Sequence, residues 1–218
     1  MRPDGGQGPM PVPHPARPLE YWLSPELSAI TPATAPSRLR ELASARGSFM
    51  GAWAGGICLG AVLVLLGAIL ALRLGAPAVL PSLAVPGAGI GVLCSIFYAR
   101  AKDRLPRTNR ALVNRGPGNL RGALFFVGFI LLVFMGVFAL TATPSTWQDP
   151  SSLLTLATVL GFMLSLLTAA IIVPATIVGR SRESLRRKAA DDPRFRALLE
   201  QDLATWRDPY GEAGYGPL

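Results

Sequence analysis

The sequence predicts an all-α integral membrane protein: four transmembrane helices in two in–out–in hairpins, plus a short cytosolic amphipathic helix. Three observations carry this. Four long apolar runs, Phe49–Leu72, Val79–Ala99, Leu124–Ala142 and Leu153–Val178, contain no Asp, Glu, Lys, Arg or His. Each has about 19 to 26 residues, enough to cross ~30 Å of hydrocarbon at ~1.5 Å per helical residue. Arginines crowd the same end of every run, and the mean hydropathy is +0.40 although both tails are polar.

Taken in order, residues 1–45 read as a Pro/Gly-rich tail without a core of its own. It holds one aromatic island, Leu19–Leu23, with Tyr21 and Trp22. Ser37 is placed to cap a helix that starts at Arg38 and feeds the first span. A secretory signal peptide is not expected, because the first apolar stretch begins only near Phe49 and no small-residue cleavage site stands near the front. The transmembrane domain is assigned to 46–179. Its connections on the arginine-poor side are short, about Arg73–Ala78 and Thr143–Ser152, too short for a domain. Pro81 falls in the first turns of the second span, where proline is tolerated, and a bend is expected near Pro86.

The C-terminal tail is assigned to 180–218. Asp192-Pro193 supplies an N-cap followed by proline at the first helical position. Phe195, Leu198, Leu199, Leu203 and Trp206 then recur at i, i+3, i+4, i+8 and i+11, one apolar face of a helix over about 193–206. Acids Glu200 and Asp202 occupy its middle, where interfacial helices carry Lys and Arg, so a protein surface is the favoured partner of this face, with the headgroup layer and packing on the chain itself as the alternatives. Residues after Pro209 are Gly/Tyr-rich and expected to be unstructured.

Orientation follows from the arginines. Arg100, Lys102, Arg104, Arg107, Arg110, Arg115 and Arg121 stand between the second and third spans against one acid, Asp103. Arg38, Arg40 and Arg46 precede the first span, and Arg180, Arg182, Arg186, Arg187 and Lys188 follow the fourth. The opposite side has Arg73 alone. Lys and Arg near span ends mark the cytoplasmic side, so the reading is a multi-pass cell-membrane protein with both termini cytoplasmic. Heavy use of Ala, Arg, Gly, Leu and Pro fits a GC-rich bacterial gene. Near the membrane, Arg100, Lys102, Arg104, Arg107 and Arg110 are expected to touch anionic lipid. Nucleic acid is not expected, since the basic loop lacks interleaved aromatics.

Gly51-x-x-x-Gly55, Gly56-x-x-x-Gly60 and Gly87-x-x-x-Gly91 have the spacing that lets membrane helices approach closely. Packing within the unit is the favoured reading and a partner helix, including a second copy, the other. The third span is bulky and apolar on every side, which suits lipid first and a partner second. In the fourth span Thr155, Thr158, Ser165, Thr168 and Thr176 precede or flank Pro174. Such hydroxyls wet a pore in one reading and bond their own helix carbonyls in the favoured one. Cys58 and Cys94 fall inside spans and read as small apolar packing rather than a disulfide. Arg100-Ala101-Lys102-Asp103-Arg104-Leu105 and Arg180-Ser181-Arg182-Glu183-Ser184-Leu185 share a pattern. A duplicated hairpin would explain it, as would the ordinary gathering of arginines at a membrane boundary.

Missing chemistry narrows function. Ion coupling needs an ionisable group at depth, and intramembrane hydrolysis needs a nucleophile with a base or a metal. The spans offer neither, the only histidine is His14 in the tail, and no Walker-type glycine loop occurs. No cofactor or metal is expected. The expectation is a non-enzymatic accessory or scaffold subunit of a larger bacterial cytoplasmic-membrane complex, bound to other membrane subunits through its tails and spans. A homo-oligomeric channel or uncoupled transporter lined by the fourth-span hydroxyls is the alternative. A membrane-anchored regulator recruiting a soluble partner is the third.

Overall fold

In hydrocarbon each backbone N–H and C=O has to be satisfied within its own segment, and a helix does this without a neighbour. The computed structural model describes residues 17–32, 35–106, 117–207 and 214–218, and within them every named element is helical. Two short helices, α1 (Leu19–Leu23) and α2 (Pro25–Ile30), lead to the long α3 (Arg38–Leu74) and then α4 (Val79–Ala101). After α5 (Leu120–Thr141) and the brief α6 (Pro144–Gln148) comes a fourth long element in three parts. These are α7 (Pro150–Leu167), a π-helical turn (Thr168–Ile172) and α8 (Val173–Gly179). Two polar helices, α9 (Ser181–Asp191) and α10 (Pro193–Thr205), complete the order. Four helices are long and apolar enough to cross a membrane: α3, α4, α5 and the Pro150–Gly179 element.

The ends are set by local chemistry. Ser37 caps α3, its hydroxyl accepting from the Arg40 N–H, and Gly75 stops α3 in the left-handed conformation (φ 59°) with its N–H on the Ala71 carbonyl. Only glycine takes that conformation without a steric penalty. Asn119 caps α5 through the Gly122 N–H at 2.7 Å. Asp149 caps α7, accepting from the N–H groups of Ser151 and Ser152, with Pro150 at the first helical position. The hydroxyls of Ser151 and Ser152 also donate to Asp149, and these bonds lower its carboxyl to a pKa of about 2. α4 continues through Pro86. At Pro174 the hydrogen-bond pattern of the fourth span changes. This proline has no N–H to return to the preceding turn, and ahead of it the Val173 N–H reaches back five residues to the Thr168 carbonyl.

α3 is the hub of the membrane layer. Its glycines let α4 and the fourth span come close on different turns. A methyl group at Gly60 would sit 2.5 Å from the Gly87 carbonyl oxygen and 2.8 Å from the Gly91 nitrogen. At Gly55 it would meet the Ala169 carbonyl oxygen at 2.7 Å, and at Gly51 the Pro174 backbone at 3.1 Å. Gly56 accommodates the Cys94 sulfur, and both cysteines are free thiols. α5 is held differently. Its buried residues, Ala123 and Val127, lie in its first turns, its contacts run to the fourth span, and Phe125 (78%) and Leu140 (89%) remain exposed.

The basic ends of the spans carry a second, polar layer with a core of its own. Leu19, Leu39, Leu42, Leu185, Phe195, Leu199, Tyr215 and Leu218 are buried together, from α1, the start of α3, α9, α10 and the final segment. This corrects two readings of the sequence. The N-terminal tail is not without a core: residues 19–23 and 25–30 are helical and Leu19 is 3% exposed. Nor is the end of the chain unstructured. Gly214 and Tyr215 accept the Arg38 and Leu39 N–H groups at 3.1 and 2.9 Å, the Ser37 hydroxyl donates to the Pro217 carbonyl, and Leu218 donates to Trp22. The buried first turn of α3 has donors that no helical carbonyl can serve, and this segment serves two of them.

Candidate interaction surfaces

Charged side chains lock the polar layer together. Arg38, 5% exposed, grips Asp202 of α10 with two bonds, Nε at 3.2 Å and NH2 at 3.1 Å. Tyr215 donates its hydroxyl to the Leu199 carbonyl at 2.8 Å; burial first, and the nearby Asp202 charge second, push this phenol well above its ordinary pKa. Arg186 of α9 donates to the Leu23 carbonyl, the Ser28 hydroxyl and the Leu218 main-chain oxygen, tying four segments at one point. Lys188 sits between Asp192 at 2.8 Å and Asp103 at 2.9 Å. Hydrogen bonding to those two carboxylates raises the Lys188 pKa, and the same lysine, with the Phe195 N–H, holds Asp192 below its usual range. Arg196 pairs with Glu20 and with Glu200.

The polar layer is joined to the membrane layer through Arg46. Its guanidinium donates to the Lys102 carbonyl at 3.0 Å and the Ser184 hydroxyl at 3.2 Å, and lies 5.3 Å from the centre of the Phe195 ring. Arg40 is also buried and donates to the Pro32 and Ala35 carbonyls. Sequence reasoning used Arg38, Arg40 and Arg46 only as markers of orientation. The signal it passed over is their spacing: Leu39, Leu42, Ala43 and Arg46 recur at i, i+3, i+4 and i+7, a buried face that continues the span beyond the apolar run.

The residues singled out from the sequence scatter over three places. Phe195 and Leu199 are fully inside the chain's own polar-layer core, and Trp22, Leu203 and Trp206 pack at its margin. A protein surface is the partner favoured for this face from the sequence, with self-packing an alternative; α1, the start of α3 and Tyr215 cover it. Leu198 points the other way, 39% exposed, and Tyr21 packs edge-on against Trp22 at 5.0 Å. Gly51 and Gly55 face the fourth span, while Gly56, Gly60 and Gly87 face across the α3–α4 contact. Gly91 contributes only its backbone, since a side chain there would meet open space. Arg100, Lys102 and Arg104 are exposed at the end of α4; Arg107 and Arg110 lie outside the described residues.

Four of the five hydroxyls singled out on the fourth span bond carbonyls of their own helix. Thr155, Thr158, Ser165 and Thr176 donate to the carbonyls of Ser151, Leu154, Gly161 and Val173 at 2.7–2.9 Å. At the far ends of the spans Arg73 reaches Thr158 at 3.3 Å, and Trp147 stands edge-on to Phe138. Among the described residues no group of three or more His, Cys, Asp or Glu is placed to hold a metal ion. The two span pairs also pack unlike each other: α3 and α4 meet through glycines, while α5 and α7 touch at few points and only the second pair has a π turn. That contrast favours boundary arginines over duplication as the source of the shared motif.

Compared with protein-family models, curated proteins and solved structures, the chain has no significant match. Its class therefore rests on its own architecture: a multi-pass, all-helical protein with four apolar helices of spanning length and a folded polar layer at their basic ends.

Proposed function

We propose that the chain is a non-catalytic accessory or scaffold subunit of a larger bacterial cytoplasmic-membrane complex, its spans forming two in–out–in hairpins with both termini cytoplasmic. The observation that carries this is that, among the described residues of the spans, α5 packs on the fourth span alone, while α3 packs on both α4 and the fourth span. α5 is fastened near its basic end by Ala123 and Val127, and large side chains remain uncovered along its length, Leu132 at 69% among them. Membrane helices associate by close packing, so a span this loosely attached offers its surface to further helices. The tails lend less support than the sequence suggested, because their apolar face is spent inside the chain. The hydroxyls of Thr155, Thr158, Ser165 and Thr176 donate to carbonyls of their own helix, which weighs against the channel reading.

Mild extraction of the chain from its native membrane, followed by sizing and mass identification, tests the role. Different membrane subunits should co-purify, and a photo-crosslinker at Leu132 should capture one of them. A pure ring of this chain would establish the channel alternative, a soluble companion the regulator, and lipid adducts alone would end the subunit reading.

Orientation is supported by the gathering of Arg46, Arg100, Arg104 and Arg180 at one end of the spans, against Arg73 at the other. In a background lacking Cys58 and Cys94, a cysteine at Ala190 should escape an impermeant thiol reagent in intact cells, and one at Ser145 should react. Labelling at Ala190 without permeabilisation would invert the topology.

A further inference from the structure

Where α3 and α4 leave the apolar layer at their basic ends, they frame a groove of about 370 Å³ lined by Arg46, Phe49, Trp53, Phe97, Arg100 and Arg104. We propose that this groove binds one anionic phospholipid, its phosphate held by Arg100 and Arg104 and its glycerol and upper acyl carbons lying on Trp53 and Phe97. The proposal rests on the embedding of the spans and not on the subunit reading, so a chain that purifies alone leaves it standing.

The chemistry of the groove is graded with depth. Trp53, Phe49 and Arg46 follow one another on a single face of α3, seven residues or about 10 Å of helix from the aromatic to the cation. On the α4 side Phe97, Arg100 and Arg104 repeat the order. Trp53 and Phe97 stack across the gap at 4.8 Å with planes 21° apart, closing the membrane-facing part with aromatic surface. Phe49 remains 46% exposed beside them. An aromatic floor below a ring of guanidinium groups matches an amphiphile that carries its negative charge above an apolar body. Free phosphate would use the arginines and leave the aromatics idle.

Charge balance selects an anionic ligand. Among the described residues no carboxylate pairs with Arg100 or Arg104. The nearest acid in sequence, Asp103, is taken by Lys188. Arg46 is held in place by the Lys102 carbonyl and Ser184, with its Nε buried and without a hydrogen-bond partner. Guanidinium forks suit phosphate oxygens, and a choline ammonium would enter a site already positive. Lys102, which the sequence grouped with these arginines, does not line the groove; its carbonyl anchors Arg46 instead.

The test uses the full purified chain in detergent with equal amounts of phosphatidylglycerol and phosphatidylcholine of identical acyl chains, read by native mass spectrometry. The wild-type chain should retain one phosphatidylglycerol about tenfold over phosphatidylcholine. Arg100→Gln/Arg104→Gln should bring the two lipids within about twofold. Arg121→Gln/Arg182→Gln, the same loss of charge at exposed arginines outside the groove, should keep the preference. Because the wild-type comparison needs no variant, equal retention of both lipids overturns the proposal by itself. Equal loss in the two double variants reduces it to general surface charge, and displacement of the lipid by millimolar inorganic phosphate reassigns the groove to a free anion.

Discussion

Gly60→Ala should loosen α3 from α4 and lower the melting temperature of the purified chain more than alanine at any other glycine of the first two spans. The new methyl group would lie 2.5 Å from the Gly87 carbonyl oxygen, 2.8 Å from the Gly91 nitrogen and 3.0 Å from the Gly91 α-carbon. All three are backbone atoms, so no rotamer change relieves the contact and the helices have to part. Overpacking of this kind costs about 1–3 kcal/mol, and leucine at the same position costs more. Gly91→Ala and Gly128→Ala are the controls, because a side chain at either meets open space. Thermal unfolding followed by fluorescence-detected sizing reads the difference. Melting of Gly60→Ala together with Gly128→Ala would show that the close approach does not hold the pair.

That prediction also marks how far the sequence could be read. Small-x-x-x-small spacing announced a close contact on the first two spans, and the contact is there. Spacing alone could not assign partners. Gly51 and Gly55 serve the fourth span while Gly56 and Gly60 serve α4, a division set by the three-dimensional crossing of three helices. Gly91 shows the same limit: the motif counts it equally with Gly87, yet it lends only its backbone. The spans themselves were legible because hydrocarbon leaves helices as the simplest way to satisfy a backbone, and length with charge exclusion then fixes them.

The polar layer was the harder part. Ser37 and Asp192 were readable as caps, because capping is local chemistry that short range settles. The apolar face of α10 was readable too, but not what covers it. Leu19, Leu39, Leu185, Phe195, Leu199 and Leu218 come from widely separated stretches, each too short and too polar nearby to look like part of a core. The groove of the further inference was half visible for a similar reason. Arg100 and Arg104 stood out beside the membrane, whereas Arg46, Trp53 and Phe97 join them only once α3 and α4 are packed.

The largest effect in the polar layer is expected from Asp202→Ala. The side chains of Arg38 and Asp202 are 6% and 21% exposed, and their two-bond contact is a charge-paired link between the start of the first span and α10. Removing the acid takes away the two bonds that Asp202 gives this buried guanidinium, and breaking a buried ion pair costs about 3–5 kcal/mol. The partial exposure of Asp202 places the loss near the lower figure. It should appear as rapid cleavage of α9 and α10 in limited proteolysis, with the spans still protected, since Asp202 touches the polar layer alone. The companion variant Arg38→Met/Asp202→Leu separates charge from packing. Methionine and leucine fill similar space and carry no charge to strand, so most of the protease resistance should return. If the double variant is cleaved as fast as Asp202→Ala, the ion pair is needed for its geometry and not merely tolerated. If Asp202→Ala resists protease as the unaltered chain does, the apolar cluster around Phe195 and Leu199 holds the layer without it.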